Sequence, residues 1–264
     1  MNAMSQIITL TTDFGLSDGF VGVMKGVILG INPQATIVDI THDIAPQNIE
    51  QGAFVFANAC KYFPPNTIHV VVVDPGVGST RRAIALQAGE TFFVAPDNGV
   101  VVYAARNLQH EIRAVHLNRP EYWRSHVSNT FHGRDIFAPV AAHLSLGVSL
   151  DALGDSVTNW TQLACGLALR YGDQIVGRVV HIDRFGNIVT TIGEEMLEAM
   201  DRTRITVTIR GKVLQGVRST YAVVERGELL ALISSSGHVE VAARDESAAQ
   251  MLGAKLGDEV VIRS

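Results

Sequence analysis

The sequence predicts an α/β fold: an N-terminal, mostly parallel α/β sheet domain, followed by a smaller C-terminal β domain of barrel or sandwich type. Three observations carry this. The first half alternates short apolar runs with stretches of helical spacing, the pattern of strands joined by crossover helices. Thr67 to Val73 is nearly continuous β-branched sequence, the mark of a strand covered on both faces. From about Gly172 onward, strand-like runs follow one another with only turn residues between them.

In order, Ile7 to Leu10 reads as a buried strand, and Phe20 to Ile31 places apolar residues at helical spacing. Asn32-Pro33 stops that helix, because proline disfavours the helical conformation of the residue before it. Thr36 to Ile40 is the next strand. A second helix can start at Pro46, where the missing N–H costs nothing, and runs to about Phe63 before Pro64-Pro65. Strands follow at Thr67 to Val73, Ala83 to Leu86, Thr91 to Ala95 and Ile112 to Val115, then a helix at Asp135 to Leu146. A junction at Leu163 to Tyr171 separates an N-terminal domain, 1–165, from a C-terminal one, 172–264. The latter reads as strands at Gln174 to Ile182, Ile188 to Ile192, Arg204 to Ile209, Leu229 to Ile233, His238 to Ala243 and Val260 to Arg263. Only Glu194 to Asp201 and Glu246 to Leu252 look helical.

Composition narrows the function. The chain has 264 residues, 47% hydrophobic and 18% charged, which supplies a core and excludes extended disorder. Its longest apolar stretches, such as Val70 to Val73, are too short to span a bilayer, and no secretion signal is visible. The net charge of -5 comes from interspersed acids and bases, so the basic stripe that a nucleic-acid grip requires is missing. Cys60 and Cys165 have no CxxC partner, which points to a reduced, cytoplasmic setting and neither a disulfide scaffold nor a zinc site.

Several polar segments sit just after predicted strands, where open α/β sheets place their ligands. In Thr11-Thr12-Asp13-Phe14-Gly15, Asp13 either accepts both hydroxyls of a ribose or caps the following turn. In Asp74-Pro75-Gly76-Val77-Gly78-Ser79-Thr80-Arg81-Arg82, two glycines bring backbone close to a ligand, and Asp74 can pair with Arg81. The pair serves a site or simply closes the loop. Pro96-Asp97-Asn98-Gly99 is first of all a turn. In Phe131-His132-Gly133-Arg134-Asp135, Asp135 can cap the helix, leaving His132 and Arg134 to face the crevice. Asp39-Ile40-Thr41-His42-Asp43 offers metal-ligand types without a second His at a defined spacing, so no metal is expected there. In the second domain, Asp183-Arg184-Phe185-Gly186-Asn187 offers a carboxylate, an aromatic face and a carboxamide, which suits a purine and an ammonium group as well as a turn with a packed Phe. Ser234-Ser235-Ser236-Gly237 is a further polar break, or only a hairpin loop.

Taken in order, the segments at Thr12 to Gly15, Asp74 to Arg82, Pro96 to Gly99, Phe131 to Asp135 and Asp183 to Asn187 resemble the S-adenosylmethionine hydroxide adenosyltransferases, the hydrolase branch of the fluorinase/chlorinase superfamily. The resemblance spans essentially the whole chain. It implies a homotrimer whose active sites lie between the N-terminal domain of one subunit and the C-terminal domain of its neighbour. It implies attack of water-derived hydroxide on the ribose 5′ carbon of S-adenosyl-L-methionine, giving adenosine and L-methionine without metal or cofactor. The family's catalytic set falls on Asp74, Arg81 and His132. From their chemistry Arg81 can stabilise developing hydroxide, His132 accept or relay the proton and Asp74 orient the pair, with the acceptor left open between Asp74 and His132. On the same analogy Asp13 holds the ribose hydroxyls, Asp183 the methionine ammonium, and Phe185 and Asn187 the adenine. Tyr221 adds a second stacking face and Ser235 or Ser236 meets the carboxylate, while Asn98 and Gly133 complete the substrate-binding group. Gly133 alone would fit a chloride pocket, but Asp74 and His132 argue against one, since a buried carboxylate repels halide. A 5′-halogenase and a catalytically silent binder of S-adenosylmethionine or adenosine are the competing expectations.

Overall fold

The computed structural model describes residues 7–163 and 168–264; Cys165 and the expected domain end at 165 lie outside the described residues. Contacts divide the chain into two compact units, Met1–Leu163 and Ala164–Ser264.

The first unit runs β1 (Ile7–Thr12), α1 (Phe20–Ile31), β2 (Thr36–Thr41), α2 (Ile49–Cys60), β3 (Ile68–Val72), β4 (Ala83–Ala88), β5 (Thr91–Pro96), α3 (Val102–Asn107), β6 (Ile112–Leu117), a π-helical turn (Gly133–Phe137), α4 (Ala138–Ser145) and β7 (Gly154–Ser156). β1 continues past the expected Leu10 because Thr11 and Thr12 are themselves fully buried in the sheet. α2 starts later than the Pro46 signal and stops before Phe63. Gln47 has φ 64 and cannot be helical, and Asn48 caps the helix by accepting from the Gln51 N–H at 2.9 Å. The helix expected from Asp135 opens instead with the π turn, and Asp135 is no cap. It lies inside that turn, fully buried, with its N–H donated to the Phe131 carbonyl.

The seven strands are ordered β2-β1-β3-β5-β4-β6-β7. β1–β2, β1–β3 and β3–β5 are parallel, whereas β4–β5, β4–β6 and β6–β7 are antiparallel. The α/β class stands, but the expected mostly parallel sheet is half parallel. A parallel return needs a crossover of about a dozen residues or more, and the loop from Val73 to Arg82 is too short to provide one. β3 is buried along its whole length, as its composition predicts. One face packs Ile8, Leu10, Met24, Ile28, Val70 and Phe137 into a core beneath α1 and α4.

The second unit comprises β8 (Leu169–Tyr171), β9 (Gln174–Ile182), β10 (Ile188–Gly193), β11 (Thr206–Ile209), β12 (Lys212–Gln215), β13 (Val217–Arg218), β14 (Leu229–Ile233), β15 (His238–Ala243), α5 (Ala248–Leu252) and β16 (Glu259–Arg263). They form one nine-stranded sheet, with β12 also approaching β14, so that the sheet curls toward a barrel. The helix expected at Glu194 is a single 3₁₀ turn, Glu194–Leu197, and the one expected at Glu246 shortens to α5, capped by Ser247. Among the described residues no helix is long and apolar enough to cross a membrane.

Candidate active site

The topology gathers the polar segments of the first unit at one edge. β1, β2, β3 and β5 run in one direction, so the residues after each strand, including Asp13, Thr41 to Asp43, Asp74 and Asp97, emerge together. β4 runs the other way, so its start lies at the same edge and returns Arg81 and Arg82 to it.

There Arg81 joins two other side chains. Its Nε donates to both Asp74 oxygens at 3.0 Å and its Nη2 to Asp74 Oδ2 at 2.5 Å. The same Nη2 lies 2.8 Å from His132 Nδ1. The ion pair is largely dry, with side-chain exposures of 11% for Arg81 and 5% for Asp74. Burial, and then the guanidinium charge, hold the His132 imidazole below its ordinary pKa, which keeps the ring neutral at pH 7. Since Arg81 can only donate, the neutral ring accepts at Nδ1 and carries its proton on Nε2.

Asp74, His132, Gly133 and Asp13 line one open cavity of about 400 Å³ with Gln47 and Phe14. The rings of Phe14, Phe20 and Phe131 meet edge to face at 5.3 to 5.8 Å and form its apolar side. A Cβ at Gly133 would come within 3.2 Å of Met24 Sδ and the Phe131 ring. The loops that carry Asp74 and His132 are locked together at Gly78, which has φ 76 and where a Cβ would sit 2.3 Å from the Asn129 carbonyl oxygen. Gly78→Ala should therefore destabilise the fold by about 2 kcal/mol or more and reduce turnover; a Tm within a degree of wild type would show that the loops are not so coupled.

In the second unit, Asp183, Phe185, Asn187 and Tyr221 line a separate cavity of about 780 Å³, together with Arg244 and Ser247. Phe185 is 78% exposed, so the packed-Phe turn is not what forms. Asp183 nevertheless organises the loop: its Oδ1 accepts from the Phe185 and Asn187 N–H groups and its Oδ2 from Asn187 Nδ2.

Asn98, Ser235 and Ser236 line neither cavity. Asn98 donates its side-chain amide to the Val73 carbonyl at 2.8 Å, bracing the chain just before Asp74. Ser236 bonds with Ser234 at 2.8 Å and lies 3.3 Å from His238 Nδ1, within the hairpin that also holds Ser235. Among the described residues no group of three or more His, Cys, Asp or Glu could hold a metal ion.

Sequence reasoning missed three supporting pairs. Arg82 binds Asp97 at 2.6 Å, tying the second motif to the third. Arg134 forks onto the buried Asp135 at 2.6 and 2.8 Å. Glu240, buried in mid-strand, accepts from the Tyr221 hydroxyl at 2.7 Å; burial, and next the nearby Asp183, raise its pKa. The first was readable as an adjacent basic–acidic motif pair, whereas nothing in the alternation of β15 marks Glu240 as inward.

Two family models match: SAM hydroxide adenosyltransferase N-terminal domain over residues 8–154, and SAM hydroxide adenosyltransferase C-terminal domain over 177–261. The chain belongs to the SAM hydroxide adenosyltransferase family. It is 41% identical over 256 residues to the (R)-S-adenosyl-L-methionine hydrolase of Salinispora tropica, covering 96% of each chain. It is 37% identical to the protein of the same name from Methanocaldococcus jannaschii, covering 97% and 95%. A fluorinase of Nocardia brasiliensis is more distant, at 26% identity over 99% and 98%. Among solved structures, an uncharacterized conserved protein from Thermotoga maritima superposes with a TM-score of 0.90 at 38% identity, covering 97% of this chain and all of the other. Each of the two matched domains carries one of the two cavities described above.

Proposed function

We propose that this protein hydrolyses S-adenosyl-L-methionine to adenosine and L-methionine by attack of water on the ribose 5′ carbon. The observation that carries the reading is the hydrogen-bonded Asp74–Arg81–His132 set, two members of which share a cavity with Asp13. A sulfonium leaves as a neutral thioether, so the C5′–S electron pair needs no general acid, metal or cofactor to receive it. The demand falls on the nucleophile, and holding water in line can remove several kcal/mol of the barrier.

The tautomer divides the work. His132 Nδ1 is occupied by Arg81, so its Nε2–H orients the water oxygen as a donor, and Asp74 receives the proton. Attack by neutral water makes an alkyl-oxonium, a strong acid, which a carboxylate can deprotonate. Arg81 holds the Asp74 carboxylate in place through its forked hydrogen bonds. The motifs alone leave the proton acceptor open between Asp74 and His132, and this reading gives it to Asp74. Because neutral His132 is the working form and its pKa is lowered, kcat should stay level from pH 8 down through the ordinary imidazole value of about 6.5 and fall only below it. An acid limb centred at or above that value would contradict the assignment.

Asp13 takes the ribose hydroxyls, and Gly133 lets the reacting carbon approach. Phe185 and Tyr221 stack the adenine and Asn187 pairs with it. Asp183 receives the methionine ammonium, since a carboxylate has lone pairs beyond those its loop uses. Ser235 or Ser236 meets the substrate carboxylate, whereas Asn98, its amide spent on the Val73 carbonyl, braces the Asp74 loop. The residues for the two ends of the substrate line separate cavities, which supports a homotrimer in which one subunit's N-terminal domain meets its neighbour's C-terminal domain around the substrate. The free thiol of Cys60 fits a cytoplasmic setting, where thiols stay reduced.

The relatives' name specifies an R centre, and with L-methionine named separately that centre is the sulfonium. The test is therefore incubation with each sulfonium epimer, with and without chloride. Adenosine and methionine in equal amounts, favouring the R epimer and indifferent to chloride or chelator, is the expected result. A 5′-chloro nucleoside would move the protein to the halogenase reading, and binding without product to the silent binder.

A further inference from the structure

The Asp39–Asp43 segment takes no part in the chemistry above, yet it is laced into the site. His42 is buried, and its Nδ1 lies 2.9 Å from Thr12 Oγ1. That hydroxyl also accepts the Phe14 N–H at 3.2 Å, which ties the ring to the backbone beside Asp13. Its Nε2 lies 3.1 Å from Asp39 Oδ1, while Asp39 Oδ2 accepts from Lys25 Nζ at 2.5 Å. The backbones are joined as well: the Gly15 N–H donates to the His42 carbonyl at 2.8 Å, and the Ile44 N–H to the Thr12 carbonyl at 3.4 Å.

Five residues beyond His42, Gln47 adopts φ 64, a left-handed conformation that a non-glycine residue holds only when its surroundings impose it. It directs its N–H onto Asp13 Oδ2 at 2.7 Å. Asp13 and Gln47 both line the cavity of Asp74 and His132. The chain from Lys25 through Asp39, His42 and Thr12 thus ends at the loop that carries Asp13, and the strap from His42 to Gln47 fixes one oxygen of that carboxylate.

We propose that His42 is a positioning residue: acting through Thr12, it holds the Asp13 loop against the 42–47 strap and so sets affinity for the ribose end of the substrate without touching it. This rests on the reading of Asp13 as the ribose-binding group. The bond to Thr12 carries the effect, and the Asp39 carboxylate flanks the opposite side of the ring.

The experiment measures kcat and KM for S-adenosyl-L-methionine on the full chain. The variants are Asp13→Asn, His42→Asn, His42→Gln and Thr12→Val, each with its Tm. An asparagine carboxamide reaches the place of Nδ1 and keeps the bond to Thr12, whereas glutamine reaches the place of Nε2 and loses it. His42→Gln and Thr12→Val should each raise KM about tenfold with kcat within about twofold, while His42→Asn stays within about twofold in both. The same KM in His42→Asn and His42→Gln, whether unchanged or raised, with Asp13→Asn raised, would overturn the role of His42 alone. An unchanged KM in Asp13→Asn would overturn the ribose assignment and this inference with it.

Discussion

Arg81→Lys should lower kcat by about 10²–10³, with little change in substrate affinity. Lysine keeps the positive charge beside the buried Asp74, so the carboxylate is not left unpaired and the fold survives. It cannot reproduce the fork. Arg81 uses Nε and Nη2 on Asp74 while Nη2 also reaches His132, and this shared nitrogen fixes the relation of carboxylate to imidazole. A lysine ammonium is a single point that satisfies one of them well. Single-turnover kinetics would read the chemical step directly, and a kcat within tenfold of wild type would show that charge alone suffices.

His132→Ala should reduce kcat by about 10²–10⁴ while S-adenosyl-L-methionine still binds, as calorimetry can measure. Burial and the Arg81 charge keep this imidazole neutral, and Arg81 occupies its Nδ1. In the proposed mechanism the ring then contributes a donor at Nε2 that holds the attacking water. A glutamine amide places an N–H donor close to that point but no base. His132→Gln should therefore recover part of the activity lost in His132→Ala, about tenfold or more. Equal losses in the two variants would return the proton to His132, and unchanged turnover in His132→Ala would remove the residue from the mechanism.

How much of this was legible in the residues depends on whether local or distant partners decide. α1 occupies the expected Phe20–Ile31, because helical apolar spacing and Asn32-Pro33 act within a few residues. β9, β14 and β15 likewise match the expected bounds. Strand direction was not legible, since β4 turns back only because its loop is short and β5 lies beside β3. The β11–β12 hairpin was readable in principle: Arg210-Gly211 holds two positive φ values, 48 and 76, as a tight hairpin turn requires. Asp135 read as a cap because its burial depends on Arg134 and the π turn.

The site follows the same division. Asp74, Arg81 and His132 meet as the motif order implied, and Asp13 and Gly133 join two of them in one cavity. Asn98 shows the limit. Its turn was plain from Pro96 to Gly99, but only the folded chain reveals that its amide is spent on the Val73 carbonyl. His42 and Glu240 are the converse, polar residues whose partners, Thr12 and Tyr221, are distant in sequence and invisible to spacing.

The most direct test of the central claim is turnover of S-adenosyl-L-methionine in ¹⁸O-water, with mass spectrometry of the products. Water attack at the 5′ carbon predicts adenosine carrying one ¹⁸O at its 5′ oxygen, unlabelled methionine, and the same result with or without chloride. Unlabelled adenosine, or label absent from the 5′ position, would contradict it.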